Sequence, residues 1–445
     1  MTGHINEDIF SYDIKRFQKF HSDLGFIKNR ITESLGDLYG MHWPFKQHRT
    51  SRNVKQLPHH ENLKSFGACF GVSGGYERPM WFALDGEKAE YKYSYNYQSW
   101  YPSAEYETHN TRKNVGLFDL TPFSKFEIKS EKAHQELQKI CTANIKKDAG
   151  KCTYTHMLNS DGGIEADLTV VSIDENHFRI ISSAATRERD KHHIKKHLNK
   201  DIELEDVTDD YCVFGLFGPK SRDLMNSLSN DNFNNENFRF GTAKFISIED
   251  TKIWTQRLSY VGELGYELYV EVKDAKKIYE LIVNKGKDFN LSNCGMHAMD
   301  IMRMESGFLH WGHDISPEEN QYQAGLSFTI SNKKNVDFIG KRALEKIDKK
   351  KIKTRFAMFT LKDSKPGEPL LLHDEPIYLK DQIIGKSTSG NYSFNFKKNL
   401  TFGYISNDFS NEQLKNSELF IEVEKKKYEI EMINEPLKQT NFKSN

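Results

Sequence analysis

Apolar and polar positions alternate in short runs punctuated by turn residues, which predicts strands interleaved with helices. Leu168 to Ile173 and Phe178 to Ser182 read as strands separated by Asp174, Glu175 and Asn176. Tyr266, Leu268 and Val270 alternate with Glu267, Tyr269 and Glu271, the period-two pattern of a strand with one buried face. A helix follows, with Asp274 as N-cap, an apolar face of Ile278, Leu281 and Ile282, and Gly286 as its stop. Another is predicted from about Met296 to Ser306, ending at Gly307. Cys212 to Ser221 reads as a buried strand that turns at Gly218 and Pro219 into a helix. No regular βαβ repeat emerges, so the expected class is α+β.

The pattern shifts along the chain. Residues 1–75 begin with a mixed polar, helix-like stretch and offer too little periodic apolar surface for a core, so they read as an arm that packs on something else. Residues 76–355 carry the mixed helices and strands, and a lysine-rich stretch, Lys341 to Lys353, reads as a solvated helix and linker. In residues 356–445, Ile377 to Gly385, Gly403 to Ile405 and Leu419 to Val423 are short strands with turn signals between them, the signature of a small β-barrel or sandwich.

A length of 445 residues is enough for two or three domains, and the aromatic content of 12% supplies core surface despite a hydrophobic fraction of only 37%. Lys plus Arg and Asp plus Glu are 63 each, so no global field favours nucleic acid or a membrane surface. The five scattered cysteines contain no Cys-x-x-Cys pair, which argues against a disulfide framework or thiolate zinc site. With no signal-like N-terminus and no apolar run of membrane-spanning length, the expectation is a cytoplasmic protein with no membrane or nucleic-acid partner. Gly71-Val-Ser-Gly74-Gly75 lacks dinucleotide-loop spacing, so no FAD site is expected in this chain. His193 and His197 sit at helical spacing but without a His-Glu-x-x-His pattern, and no metal site is expected.

Two glycine-flanked acidic motifs carry the candidate chemistry. In Tyr154-Thr-His-Met-Leu-Asn-Ser-Asp-Gly-Gly-Ile-Glu-Ala-Asp167, the last aspartate immediately precedes an apolar run, where desolvation raises a carboxyl pKa and suits it to accept a proton or hold a ligand amine. A turn-capping aspartate satisfies the same pattern, and Glu165 shares its face. In Ser259-Tyr-Val-Gly-Glu263-Leu-Gly-Tyr-Glu-Leu-Tyr-Val270, Glu263 lies between Gly262 and Gly265, where a carboxylate can accept paired hydrogen bonds from an amidine-like edge; an exposed turn glutamate is the competing reading. Tyr154 and Tyr260 offer aromatic faces for a flat ring, and Arg303 on a helix either reaches a ligand or forms an ordinary salt bridge.

These segments together resemble the glycine-cleavage aminomethyltransferase (T-protein) family. Its Arg-x-Glu-x-Gly helix is matched by Arg303-Met-Glu-Ser-Gly307, and its barrel signature by Gly385-Lys-Ser-Thr-Ser-Gly390 with Gly403-Tyr-Ile405. The sequence is more similar still to the folate-binding half of dimethylglycine and sarcosine dehydrogenases. Leu38-Tyr-Gly-Met-His-Trp-Pro-Phe45 and Tyr76-Glu-Arg-Pro-Met-Trp-Phe82 resemble the stretch that joins their flavin half to that folate half.

The resemblance implies a connector over 1–75, a T-protein-like folate-binding domain over 76–355 and a C-terminal β-barrel over 356–445. It implies tetrahydrofolate as cofactor, Asp167 beside the folate nitrogens as the catalytic carboxylate, and Tyr154, Asp167, Glu263, Arg303 and Tyr260 as binding residues. The implied function is one-carbon transfer coupled to oxidative demethylation of a methylated amine, such as dimethylglycine or sarcosine, by a separate flavin subunit. Trp43, Phe45 and Trp81 are read as exposed aromatics for that docking. The alternatives are methyl transfer to tetrahydrofolate without redox chemistry, and a non-catalytic folate-binding or oxidase-stabilising module.

Overall fold

The computed structural model describes residue 10 and residues 12–440. The extreme N-terminus, where no signal sequence is expected, lies outside the described residues. The class is α+β, with a body of facing antiparallel sheets followed by a closed barrel.

One sheet has five strands in the order Cys152–Leu158, Ile164–Ser172, His177–Ser182, Ser124–Lys129 and Glu205–Asp206. The other has six, in the order Thr242–Ile248, Thr251–Arg257, Gly265–Glu271, Tyr211–Phe217, Val115–Asp119 and Leu291–Cys294, and its last pair is parallel.

Strand alternation sends side chains to opposite faces, and the packing follows that parity. On the six-stranded sheet, Phe214, Tyr266 and Leu268 pack outward against Leu224 of helix Ser221–Leu228 and Ile278 and Ile282 of helix Val272–Gly286. On the five-stranded sheet, Phe126, Leu168 and Ile180 pack outward with Leu137 of helix Ala133–Ile140 and Ile194 of helix Arg187–His197. A third cluster fills the space between the sheets, with Val171 from one and Val213, Trp254 and Tyr269 from the other.

The strand Gly265–Glu271 therefore buries both faces, where the alternation predicts one. Tyr269 is 2% exposed, because the second sheet covers the face assigned to solvent. The following helix begins at Val272, two residues before the expected cap.

The barrel closes through Thr354–Leu361, Lys398–Ser406, Gln382–Ser393, Pro376–Leu379, Leu419–Val423 and Lys426–Ile433 around Phe359, Ile377, Ile405 and Ile421. The lysine-rich stretch before it forms a short helix, Lys341–Lys346, and a 3-10 turn.

The N-terminal arm contains a fourteen-residue helix, Leu24–Asp37, within the stretch read as helix-like, capped by the Asp23 carboxylate on the Phe26 N–H. Leu57, Leu63 and Ala68 enter the outer core of the six-stranded sheet, so the last part of the arm is integral to the body. Trp81 is 1% exposed, in an aromatic cluster with Trp100 and Tyr101, and is unavailable for docking. Exposed apolar side chains on and just after the helix include Leu24, Ile31, Leu35, Leu38, Tyr39 and Met41. Among the described residues no helix is long and apolar enough to cross a membrane.

Candidate functional site

The site grows from the hairpin that pairs Cys152–Leu158 with Ile164–Ser172. Its register sets Tyr154 opposite Thr169 and His156 opposite Asp167, on the face turned toward the six-stranded sheet. The turn is compressed: Gly162 has φ +88°, and a Cβ on Gly163 would sit 1.9 Å from the Pro317 carbonyl oxygen, so only glycine fits there. Glu165 on the same face is buried and ion-paired with Arg189, which also donates to the Glu165 carbonyl at 2.9 Å. This distinguishes the two acids, since among the described residues no lysine or arginine pairs with Asp167.

Asp167 keeps only 17% of its side chain accessible. Burial pushes its carboxyl up to about 7 and the nearby Asp190 adds to the rise, while a hydrogen bond from the Tyr154 hydroxyl opposes it. A carboxyl balanced there gains and loses a proton near neutrality.

His156 is fully buried, and burial lowers its pKa to about 3, so the ring is neutral. Its tautomer follows from its partners. Thr329 donates its hydroxyl proton to the Leu326 carbonyl at 2.7 Å, so at 3.0 Å it must accept from His156 Nδ1–H. Nε2 is left as an acceptor, 3.3 Å from the Tyr154 hydroxyl and 3.9 Å from Asp167 Oδ1. Tyr154, 40% exposed, tilts toward Phe328, 74% exposed, with ring centres 6.3 Å apart, so these rings form an aromatic entrance above the carboxyl.

Across the gap, Glu267 and Tyr269 share the inward face of their strand, and the Tyr269 hydroxyl donates to Glu267 Oε2 at 3.0 Å. Burial pushes the Glu267 carboxyl up to about 7. Gln256 stands directly opposite Glu267 in the register and is 0% exposed, yet neither its amide nitrogen nor its oxygen has a partner.

The remaining predicted residues sit differently. Tyr260 donates to the Leu309 carbonyl at 2.8 Å and stacks on Phe308, with its hydroxyl in the electrostatic range of Asp167. Oε1 of the Glu263 carboxylate is paired with Arg112 and Lys438, each at 3.0 Å. Arg303 is 2% exposed and donates to Asp300 at 2.8 Å, Asp314 at 2.6 Å, Ser389 at 2.9 Å and the Phe308 carbonyl at 3.1 Å, joining its helix to the barrel. Sequence reasoning missed His156, Gln256 and Glu267. The signal for Glu267 was present, since it follows the second motif's Gly-Tyr pair on a predicted strand, but the single-buried-face reading turned it toward solvent. Elsewhere, a cleft of about 690 Å³ lies under the N-terminal arm between Phe20, Lys55, Arg187 and Asp209, and its cations are already paired with acids.

Residues 59–334 match the family described as GCVT N-terminal domain, and residues 355–438 match the glycine cleavage T-protein C-terminal barrel domain. The chain belongs to the glycine-cleavage T-protein family. Residues 2–56 also match the central domain of FAD-dependent oxidoreductases. The chain is 36% identical to 4-methylaminobutanoate oxidase (formaldehyde-forming) from Paenarthrobacter nicotinovorans over 88% of its own length and 47% of that protein. It is 30% identical to mitochondrial dimethylglycine dehydrogenase of Rattus norvegicus over 97% of its length and 50% of that protein. It thus spans about half the length of these relatives. An aminomethyltransferase from Halothermothrix orenii is 31% identical over 67% of this chain and 82% of that protein. The crystal structure of aminomethyltransferase T from Bartonella henselae superposes with a TM-score of 0.74 at 20% identity, covering 87% of this chain and 99% of that one, which shows the shared fold.

Proposed function

We propose that this T-protein-family chain is a tetrahydrofolate-dependent one-carbon transferase that receives carbon at the formaldehyde level from the oxidation of a methylated amine. The observation that carries the reading is the Asp167 carboxyl, enclosed between the sheets, free of any cation and poised near neutrality beside Tyr154. The approach to Asp167 suits a flat ring, because Tyr154 with Phe328 forms an aromatic entrance above the carboxyl. Tetrahydrofolate supplies the two secondary amines that a formaldehyde-level carbon would bridge with loss of its oxygen as water, giving 5,10-methylenetetrahydrofolate. Asp167 orients the attacking amine and takes its proton as the carbon–nitrogen bond forms, and the Tyr154 hydroxyl helps hold Asp167 in place. Tyr260 and Arg303 support the wall next to Asp167, and Glu263 ties the loop through Arg112 and Lys438.

The oxidative step is assigned to a flavin-bearing module that docks on the exposed apolar strip of Ile31, Leu35, Leu38, Tyr39 and Met41. The match of residues 2–56 to an oxidoreductase domain and the names of the relatives support that assignment. Titration of the purified chain with tetrahydrofolate, followed by measurement of 5,10-methylenetetrahydrofolate formation above the spontaneous rate, tests the reading. Absence of binding rejects it, and methyltetrahydrofolate formed without any oxidant replaces it with direct methyl transfer.

A further inference from the structure

Arg78 on strand Tyr76–Phe82 is half-buried, and its guanidinium has neither an ion pair nor a hydrogen bond among the described residues; its Nε is enclosed without a partner. Every other described arginine that is not exposed is bonded through its guanidinium, as Arg52 is to Glu77 and Arg179 to Glu127. Burial lowers the Arg78 pKa to about 10, which leaves it a cation at neutral pH. Asp119, whose charge favours that cation, is already committed to His59 and to the Thr121 N–H, each at 2.9 Å. A half-buried cation without a counter-ion is costly, and a carboxylate relieves a guanidinium best because two parallel hydrogen bonds fit its fork.

Arg78 stands opposite Gly71 in the hairpin of Ala68–Ser73 with Tyr76–Phe82, and opposed residues share a face. A Cβ on Gly71 would lie 2.5 Å from Gln47 Oε1, so Gln47 covers that face. The Gln47 N–H donates to the Tyr93 hydroxyl at 2.9 Å, and the Tyr93 proton has no acceptor among the described residues, which makes it a second donor there. Gln47 belongs to the stretch that matches the oxidoreductase domain and Arg78 to the stretch that matches the T-protein domain, so the guanidinium sits at the seam of the two.

We propose that Arg78 anchors a carboxylate-binding site at this seam, holding a small ligand by its carboxylate with the Tyr93 hydroxyl beside it. The carboxylate belongs to the methylated amine or to the glutamate end of tetrahydrofolate. The choice of ligands rests on the function proposed above and deepens it, because the site requires an anionic group on one of them.

The test uses the full chain with Arg78→Met, which removes the charge, and Arg78→Lys, which keeps the charge without the fork. N-methylglycine, methylamine, tetrahydrofolate and 6-methyltetrahydropterin, which has no glutamate end, are titrated in turn, and calorimetry gives the melting temperature without ligand. Arg78→Met is expected to weaken binding of N-methylglycine or of tetrahydrofolate at least about tenfold, with partial recovery in Arg78→Lys. Methylamine and 6-methyltetrahydropterin should not respond, and the ligand that does respond names the source of the carboxylate. The melting temperature of Arg78→Met should equal or exceed wild type, because a charge without a counter-ion has gone. Unchanged affinity of Arg78→Met for both carboxylates overturns the proposal, as does a wild type that binds neither. Weaker binding with a lower melting temperature, or failure of both variants to fold, also overturns it by making Arg78 structural. A wild type that binds N-methylglycine through Arg78 but not tetrahydrofolate removes the folate reading and keeps the site.

Discussion

Replacing Asp167 with Asn separates a catalytic carboxyl from a capping one through the pH dependence of stability. The rise of its pKa from 3.8 to about 7 corresponds to about 4 kcal/mol between the ionised and neutral forms. Because the folded pKa lies above the unfolded one, the folded state binds more protons between those values. The associated stability is fully present below pH 3.8 and is lost as pH rises through about 7. Asparagine is neutral throughout and carries no such loss. Asp167→Asn is therefore expected to be more stable than wild type by about 2 kcal/mol near pH 5.5 and by about 4 kcal/mol near pH 8, as ceilings that relaxation reduces. Asp190 and Glu267 also titrate near 7, but they are common to both proteins, so the difference isolates Asp167 apart from its coupling to Asp190. Urea unfolding at the two pH values reads the gap. Formation of 5,10-methylenetetrahydrofolate should fall about 10²- to 10⁴-fold while tetrahydrofolate still binds. A stability gap that is flat with pH, or a variant less stable at the higher pH, refutes the buried neutral carboxyl. Undiminished turnover removes Asp167 from the mechanism.

Thr329→Val strips His156 Nδ1–H of its acceptor and should cost about 1–3 kcal/mol in urea unfolding. It should also displace the pH profile of turnover, because His156 no longer presents a fixed acceptor to Tyr154; a stability loss with an unmoved profile confines the relay to a structural role. Arg303→Met leaves Asp314, which is 1% exposed, without its cation and is expected to cost about 3–5 kcal/mol, read as an earlier unfolding midpoint. Folate affinity falling with no loss of stability would instead make Arg303 a ligand contact. Leu35→Glu combined with Leu38→Glu should abolish co-purification with a flavoprotein and leave tetrahydrofolate affinity intact, and a complex that survives the pair moves the docking surface elsewhere.

The parts of this site that could be read from the chain are those whose meaning is local. Asp167 follows a Gly-Gly turn and precedes an apolar run, and both facts survive in three dimensions: the turn has no room for a side chain and the run buries the carboxyl. Glu263 has the same local credentials, but its surroundings are set by Arg112 and Lys438, which arrive from about 150 residues earlier and 175 later, and no pattern near Glu263 announces them. The alternation of Gly265–Glu271 is equally clear locally, yet periodicity says only that the faces differ. Whether the second face meets water or another sheet depends on how two distant hairpins stack, and here the stacking leaves Glu267 half-buried rather than on an open surface. The same logic accounts for the arm: Trp81 looks suited to docking by residue type, but tertiary packing has already consumed it, and the apolar surface left for a partner is carried by Ile31, Leu35 and Leu38 on a helix whose mixed composition hid its periodicity. Local sequence thus nominates carboxyls, and long-range packing decides which of them are paired: Glu165 and Glu263 hold cations, whereas among the described residues neither Asp167 nor Glu267 has an ion pair to a lysine or arginine.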